Sequence, residues 1–203
     1  MSEDVLVPGA RDVRATLSSP DGEATVCVVA CPPHPQYGGS RSDARLRAVA
    51  AALEERGIAC LRFDYGPWDG GEGERDDCEN AVAWAAGRYA RVGLFGYSFG
   101  AGVALSVAGS DTVAAAALCC ASALAPPARS GGRDVAAAVE GIEATLLVLH
   151  GERDTTVDWE PVVEAARGRG AEVESLPGDH FFGGLGERIG ESVAAFVASA
   201  CGP

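Results

Sequence analysis

The sequence contains no lysine: its 16 basic residues are all arginine, set against 29 Asp and Glu, for a net charge of −13. That one absence removes several chemistries. A phosphate loop ending in Gly-Lys, a Schiff-base enzyme and a serine–lysine dyad each need an amine that the chain does not have. The excess of carboxylates repels phosphate backbones, so nucleic acid is not an expected partner. An acidic, lysine-free surface fits two origins. One is work in very high salt, where carboxylate repulsion is screened; the other is a GC-rich genome that exchanges Lys for Arg.

Long hydrophobic runs are missing as well. Hydrophobic residues make up 47% of the chain, but Gly, Pro or charge interrupts each apolar stretch before the roughly 18 residues a membrane span requires, and no membrane partner is expected. The start, Met1-Ser2-Glu3-Asp4, is acidic and leads into no apolar core. A secretory signal is therefore not expected, and a cytoplasmic location is. Cysteine is present in an odd number, seven, with Cys27, Cys31, Cys60, Cys119 and Cys120 inside apolar, strand-like runs. Buried reduced thiols are expected there rather than a disulfide framework. Cys27 and Cys31 share a strand face, but no His or second Cys pair stands at ligand spacing, so neither a zinc site nor a cofactor is expected. The 203 residues fit one domain, 1–203, with a three-layer core. Oligomeric state, a homodimer included, is left open.

What is present is an alternation of strand and helix signals. Val13 to Leu17 and Ala24 to Cys31 flank Pro20-Asp21-Gly22 and read as a hairpin. Asp43 to Arg56 carries Leu46, Val49, Ala50 and Leu53 at helical spacing, and Gly57 is a suitable stop before a strand from Ile58 to Phe63. Further strands are expected at Val92 to Phe95, Ala114 to Cys120, Thr145 to Leu149 and Glu172 to Leu176. Helices are expected at about 74–89, 101–108, 135–139, 160–169 and 187–200. Such alternation predicts a mainly parallel sheet with helices on both faces and active residues at the carboxyl ends of its strands.

Gly96-Tyr97-Ser98-Phe99-Gly100 joins one of those strands to the helix that follows. A serine on so sharp a turn has its hydroxyl exposed for attack, and the glycines let helix and strand pass closely. An attacking serine needs a general base, and the base needs an acid to fix its tautomer. Of three histidines, His180 lies just past the last predicted strand, whereas His150 reads as a structural residue at a strand end. His34 either orders its own loop or lines the site. Asp154, in the tight loop after His150, is the expected acid, with Asp158 and Asp179 as rivals. The oxyanion would meet the amide of Phe99 and an early-loop amide, that of Gln36 or Tyr37, with Gln36 preferred. Trp68, Tyr37 and Phe181 are candidates to line the substrate site, together with His34.

In chain order, His34-Pro35-x-Tyr37-Gly38-Gly39, the Ser98 pentapeptide, His150-Gly151-x-x-Asp154 and Gly178-Asp179-His180-Phe181-Phe182 resemble the small, lidless α/β-hydrolases related to dienelactone hydrolases. The resemblance spans about Thr25 to Phe196. It implies an α/β-hydrolase fold with no lid domain and a serine hydrolase using Ser98, Asp154 and His180. The sequence departs from these relatives at Cys31-Pro32-Pro33-His34-Pro35, where they often show His-Pro-His-Pro, and at Tyr65-Gly66-Pro67, where they show an Arg-Gly turn. Dienelactone hydrolases proper use a cysteine nucleophile, so Ser98 argues against that activity. The short stretch between Cys120 and Leu146 leaves little room for a lid, which favours small soluble esters or thioesters as substrates. Two other functional classes bear on the same residues. A short-chain dehydrogenase would need the Tyr-x-x-x-Lys pair that a lysine-free chain lacks. A hydrolase-fold scaffold that has lost catalysis and binds a ligand or a protein is the alternative.

Overall fold

In the computed structural model, which describes residues 1–202 apart from the side chain of Val113, eight strands build one sheet. They are β1 (Ser2–Val7), β2 (Val13–Ser18), β3 (Val26–Cys31), β4 (Ala59–Phe63), β5 (Arg91–Tyr97), β6 (Leu118–Leu124), β9 (Thr145–Gly151) and β10 (Glu172–Leu176). A separate two-stranded hairpin pairs β7 (Arg129–Ser130) with β8 (Arg133–Asp134). The sheet order is β1-β2-β4-β3-β5-β6-β9-β10, antiparallel at the first two joins and parallel from β4 to β10.

Seven helices fill the connections: α1 (Ala44–Glu54), α2 (Glu72–Ala86), α3 (Phe99–Ala108), α4 (Val113–Ala116), α5 (Val135–Glu140), α6 (Glu160–Gly168) and α7 (Gly186–Cys201). Successive strand residues point to opposite faces, and in a covered parallel sheet both faces are apolar. Accordingly Val26, Val28 and Ala30 of β3 pack with Leu46, Val49 and Leu53 of α1 and Ile189, Val193 and Phe196 of α7. Cys27, Val29 and Cys31 pack on the other side with α2, α3, α5 and α6. The helical spacing of α1 thus becomes its buried stripe, and Asp43 caps it by accepting the Arg45 amide at 2.8 Å. No helix among the described residues is long and apolar enough to cross a membrane.

Three sequence expectations need correction. β2 and β3 form no hairpin, because β4 lies between them and pairs with both. The partner β2 does have is β1, an edge strand with mostly exposed residues and hence no apolar signal. The strand expected at Ala114 to Cys120 begins only at Leu118, since Thr112 caps the short helix α4 instead.

The cysteines are the third correction, for Cys119 and Cys201 form a disulfide. The cause lies in the β5–β6 register: Val92 pairs with Leu118 but Gly93 with Cys120, so Cys119 is an extra residue. This slip turns Cys119 and Cys120 toward the end of α7 together, and the Cys120 sulfur lies 3.3 Å from that of Cys201. The closed loop is long, with 82 residues of separation. Reduction, or Cys119→Ser, is therefore expected to cost about 2–4 kcal/mol. Urea unfolding with and without a dithiol reductant checks this; coincident curves for wild type and variant under both conditions would contradict it.

Candidate active site

The site is built on the β5–α3 turn. Ser98 holds φ 55° and ψ −120°, an unusual conformation for a residue with a side chain. The residues two positions to either side must be glycine. A Cβ on Gly96 would lie 2.2 Å from the Gly100 carbonyl oxygen, and one on Gly100 would lie 2.3 Å from the Pro32 oxygen. The close crossing of strand and helix therefore presents the Ser98 hydroxyl at the carboxyl end of the central strand.

His180 arrives from the loop after β10. The buried Tyr97 hydroxyl donates to its carbonyl oxygen at 3.0 Å, and Arg45 packs over the Tyr97 ring at 4.5 Å. Ser98 Oγ lies 2.9 Å from His180 Nε2, and His180 Nδ1 lies 2.8 Å from Asp154 Oδ2. The other oxygen of Asp154 accepts the Thr156 amide at 2.9 Å and the Val157 amide at 3.4 Å. A carboxylate so occupied at Oδ1 keeps Oδ2 for the imidazole. The pair then favours the tautomer with the proton on Nδ1, leaving the Nε2 lone pair to accept from Ser98. Neither rival acid meets the ring: Asp179 accepts the Phe181 amide at 3.0 Å, and Asp158 is exposed. His150 stands apart, stacked on Trp159 with centroids 4.1 Å apart, and burial lowers its pKa.

No family model and no curated protein matches the sequence. Solved structures do. An α/β serine hydrolase homologue from Coxiella burnetii aligns with a TM-score of 0.81 at 26% identity, covering 97% of each chain. A serine hydrolase without a lid from Xanthomonas campestris aligns at 0.77 and 24% identity, over 98% of this chain and 93% of its own. The esterase Pf2001 of Pyrococcus furiosus aligns at 0.81 and 22% identity, over 100% and 92%. The chain has the lidless α/β-hydrolase fold.

In this hydrolase fold the early loop differs from expectation. The Gln36 amide donates to His34 Nδ1 at 3.3 Å and the Tyr37 amide to the His34 carbonyl at 3.0 Å, so a 3-10 turn occupies both. Gln36 does not line the cavity. The amides of His34 and Phe99 have no acceptor among the described residues, and both residues line the cavity with Ser98. One signal for this was in the sequence. Pro32 and Pro33 have no N–H, so the first amide beyond β3 is that of His34.

The His34 ring caps the loop turn and also lines the cavity. Its neighbours are Trp68 at 4.4 Å, Phe99 at 4.8 Å and Tyr37 at 4.9 Å, and partial burial lowers its pKa. The cavity measures about 500 Å³ and includes Phe181, Val157, Arg45 and Arg129, the last three unforeseen, whereas Trp68, expected to line it, stands behind the His34 ring and outside the lining.

The Trp68 loop is held from below by a buried charge cluster that sequence reasoning missed. Glu74 of α2 accepts the Asp69 amide at 3.0 Å and the Gly71 amide at 2.7 Å, and Asp77 accepts the Gly66 amide at 2.9 Å. Arg11 reaches both carboxylates, at 3.5 and 3.2 Å. Burial pushes the Asp77 pKa up, against the opposing pull of the Gly66 amide and Arg11.

Proposed function

We propose that this protein is a serine hydrolase that cleaves small carboxylic esters or thioesters through an acyl-serine intermediate. The observation that carries the reading is the unbroken chain from Ser98 Oγ to His180 to Asp154, at 2.9 and 2.8 Å. Ser98 attacks the carbonyl carbon while its proton passes to His180 Nε2, and Asp154 stabilises the imidazolium that results. The oxyanion is received by the Phe99 and His34 amides, fixed donors that need no reorganisation as charge develops. Collapse expels the alcohol or thiol, which takes the proton from His180. Water, activated by the same histidine, then releases the acid and restores Ser98.

The lidless fold and the esterase and serine hydrolase neighbours support this reading, and so does a cavity of a size suited to a small ester. The experiment is stopped-flow hydrolysis of an activated acetate and its thioester. The expected result is a burst stoichiometric with enzyme, absent in Ser98→Ala. Turnover that survives Ser98→Ala would count against the proposal.

A further inference from the structure

Two of the three exposed aromatic side chains among the described residues, Tyr37 and Phe181, line the cavity beside Ser98, and the third, Trp68, packs on the ring of cavity-lining His34. Tyr37 is 88% exposed, Phe181 63% and Trp68 38%, while the remaining Phe, Tyr and Trp residues are buried or half-buried. On a surface otherwise dominated by carboxylates, a cluster of apolar area at one site marks a place where something apolar is bound. The rings are also connected. His34 touches Tyr37, Trp68 and Phe99, and Trp68 meets Phe99 at 5.6 Å, so four rings make one continuous wall. Phe181 stands apart from that wall, beside the His180 ring at 5.7 Å.

The loops behind the wall are tied down: the turn carrying Tyr37 is capped by His34, and the loop carrying Trp68 is anchored through Glu74 and Asp77. The rings they carry already pack on one another. The reaction chemistry gives the two sides different tasks. A leaving oxygen or sulfur must lie within reach of His180, which bears Phe181 as its neighbour. The carbonyl oxygen faces the amides of Phe99 and His34, whose own side chains belong to the wall, so the acyl chain lies nearer the wall.

We propose that the acyl group of the substrate carries a flat aromatic ring, stacked on the wall formed by Tyr37 and His34, which Trp68 backs. This rests on the serine hydrolase reading. Offset aromatic stacking adds to what burial alone contributes, and a flat ring gains it where a puckered ring of the same size does not.

The test compares methyl 3-phenylpropanoate with methyl 3-cyclohexylpropanoate, which share chain length and differ in flatness and π face. The expected kcat/KM ratio favours the phenyl ester about three- to tenfold. Tyr37→Leu with Trp68→Leu, which keeps apolar area and removes the rings, is expected to bring that ratio to about one, with the change in KM. Equal wild-type values, or a ratio that the double variant leaves unmoved, would overturn the proposal. So would a preference for benzyl over cyclohexylmethyl acetate with no acyl preference, which would place the ring on the Phe181 side.

Binding gives a readout that needs no turnover. The same two esters are titrated into Ser98→Ala while tryptophan fluorescence is followed, with Trp68→Leu removing the responsive signal. Tighter binding of the phenyl ester by a similar factor supports the ring site even if the wild type fails to hydrolyse either ester. Equal affinities overturn the ring site even if both esters are hydrolysed.

Discussion

Ser98→Ala is expected to lower kcat for an activated ester by about 10⁴- to 10⁶-fold, and His180→Ala by a similar factor. The two losses will not multiply, because each removes the same proton transfer; the double variant should be no slower than the worse single one. Asp154→Asn tests a separate point. The Thr156 and Val157 amides need an acceptor at one end of the side chain, so the new amide group would face His180 Nδ1. Two donors cannot pair, the imidazole shifts its proton to Nε2, and the lone pair that accepts from Ser98 is lost. A fall of about 10⁴ in kcat with little change in fold is expected. Single-turnover kinetics with circular dichroism checks it. Variants within tenfold of wild type would remove these residues from the chemistry.

The second large effect is on stability. Glu74 is fully buried and accepts two backbone amides, so Glu74→Leu leaves two N–H groups without a partner, while Arg11 keeps Asp77 at 3.2 Å. Each buried N–H left unpaired costs about 1–3 kcal/mol, so a loss of about 2–5 kcal/mol is expected. The same change frees the loop that positions Trp68, so KM for aromatic substrates should rise with it. Urea midpoints read the first effect. A loss below about 1 kcal/mol would show that the cluster is not a structural anchor.

The parts legible in the sequence were those that short-range patterns encode. The elbow could be read because two glycines bracket a serine between apolar runs, and the steric need for both is visible at Gly96 and Gly100. The helical stripe of α1 and the apolar runs of β3, β5 and β9 could be read for the same reason, since each buries what its periodicity marks. What could not be read depends on distant partners. β2 was joined to β3 because they are adjacent in sequence, whereas β4 inserts between them. β1 is an edge strand whose burial pattern carries no alternation. The Cys119–Cys201 bridge depends on a one-residue register slip that undoes normal strand alternation. The burial of Glu74 and Asp77 depends on Arg11, which is far away in the chain and is brought against them by the fold. The amides of Gln36 and Tyr37, expected to face the oxyanion, are used by the turn at Pro35–Tyr37 itself, a local demand that the sequence pattern does not display.

The central claim is that Ser98 is a nucleophile activated by His180, and its most direct test is labelling of the purified protein with a fluorophosphonate, read by intact and peptide mass spectrometry. The acidic surface makes it necessary to run the reaction in both dilute and molar salt. The account predicts one label per chain, on the peptide containing Ser98, lost in Ser98→Ala and slowed at least a thousandfold in His180→Ala. Folded protein that takes no label in either salt, or takes it at another residue, would contradict it.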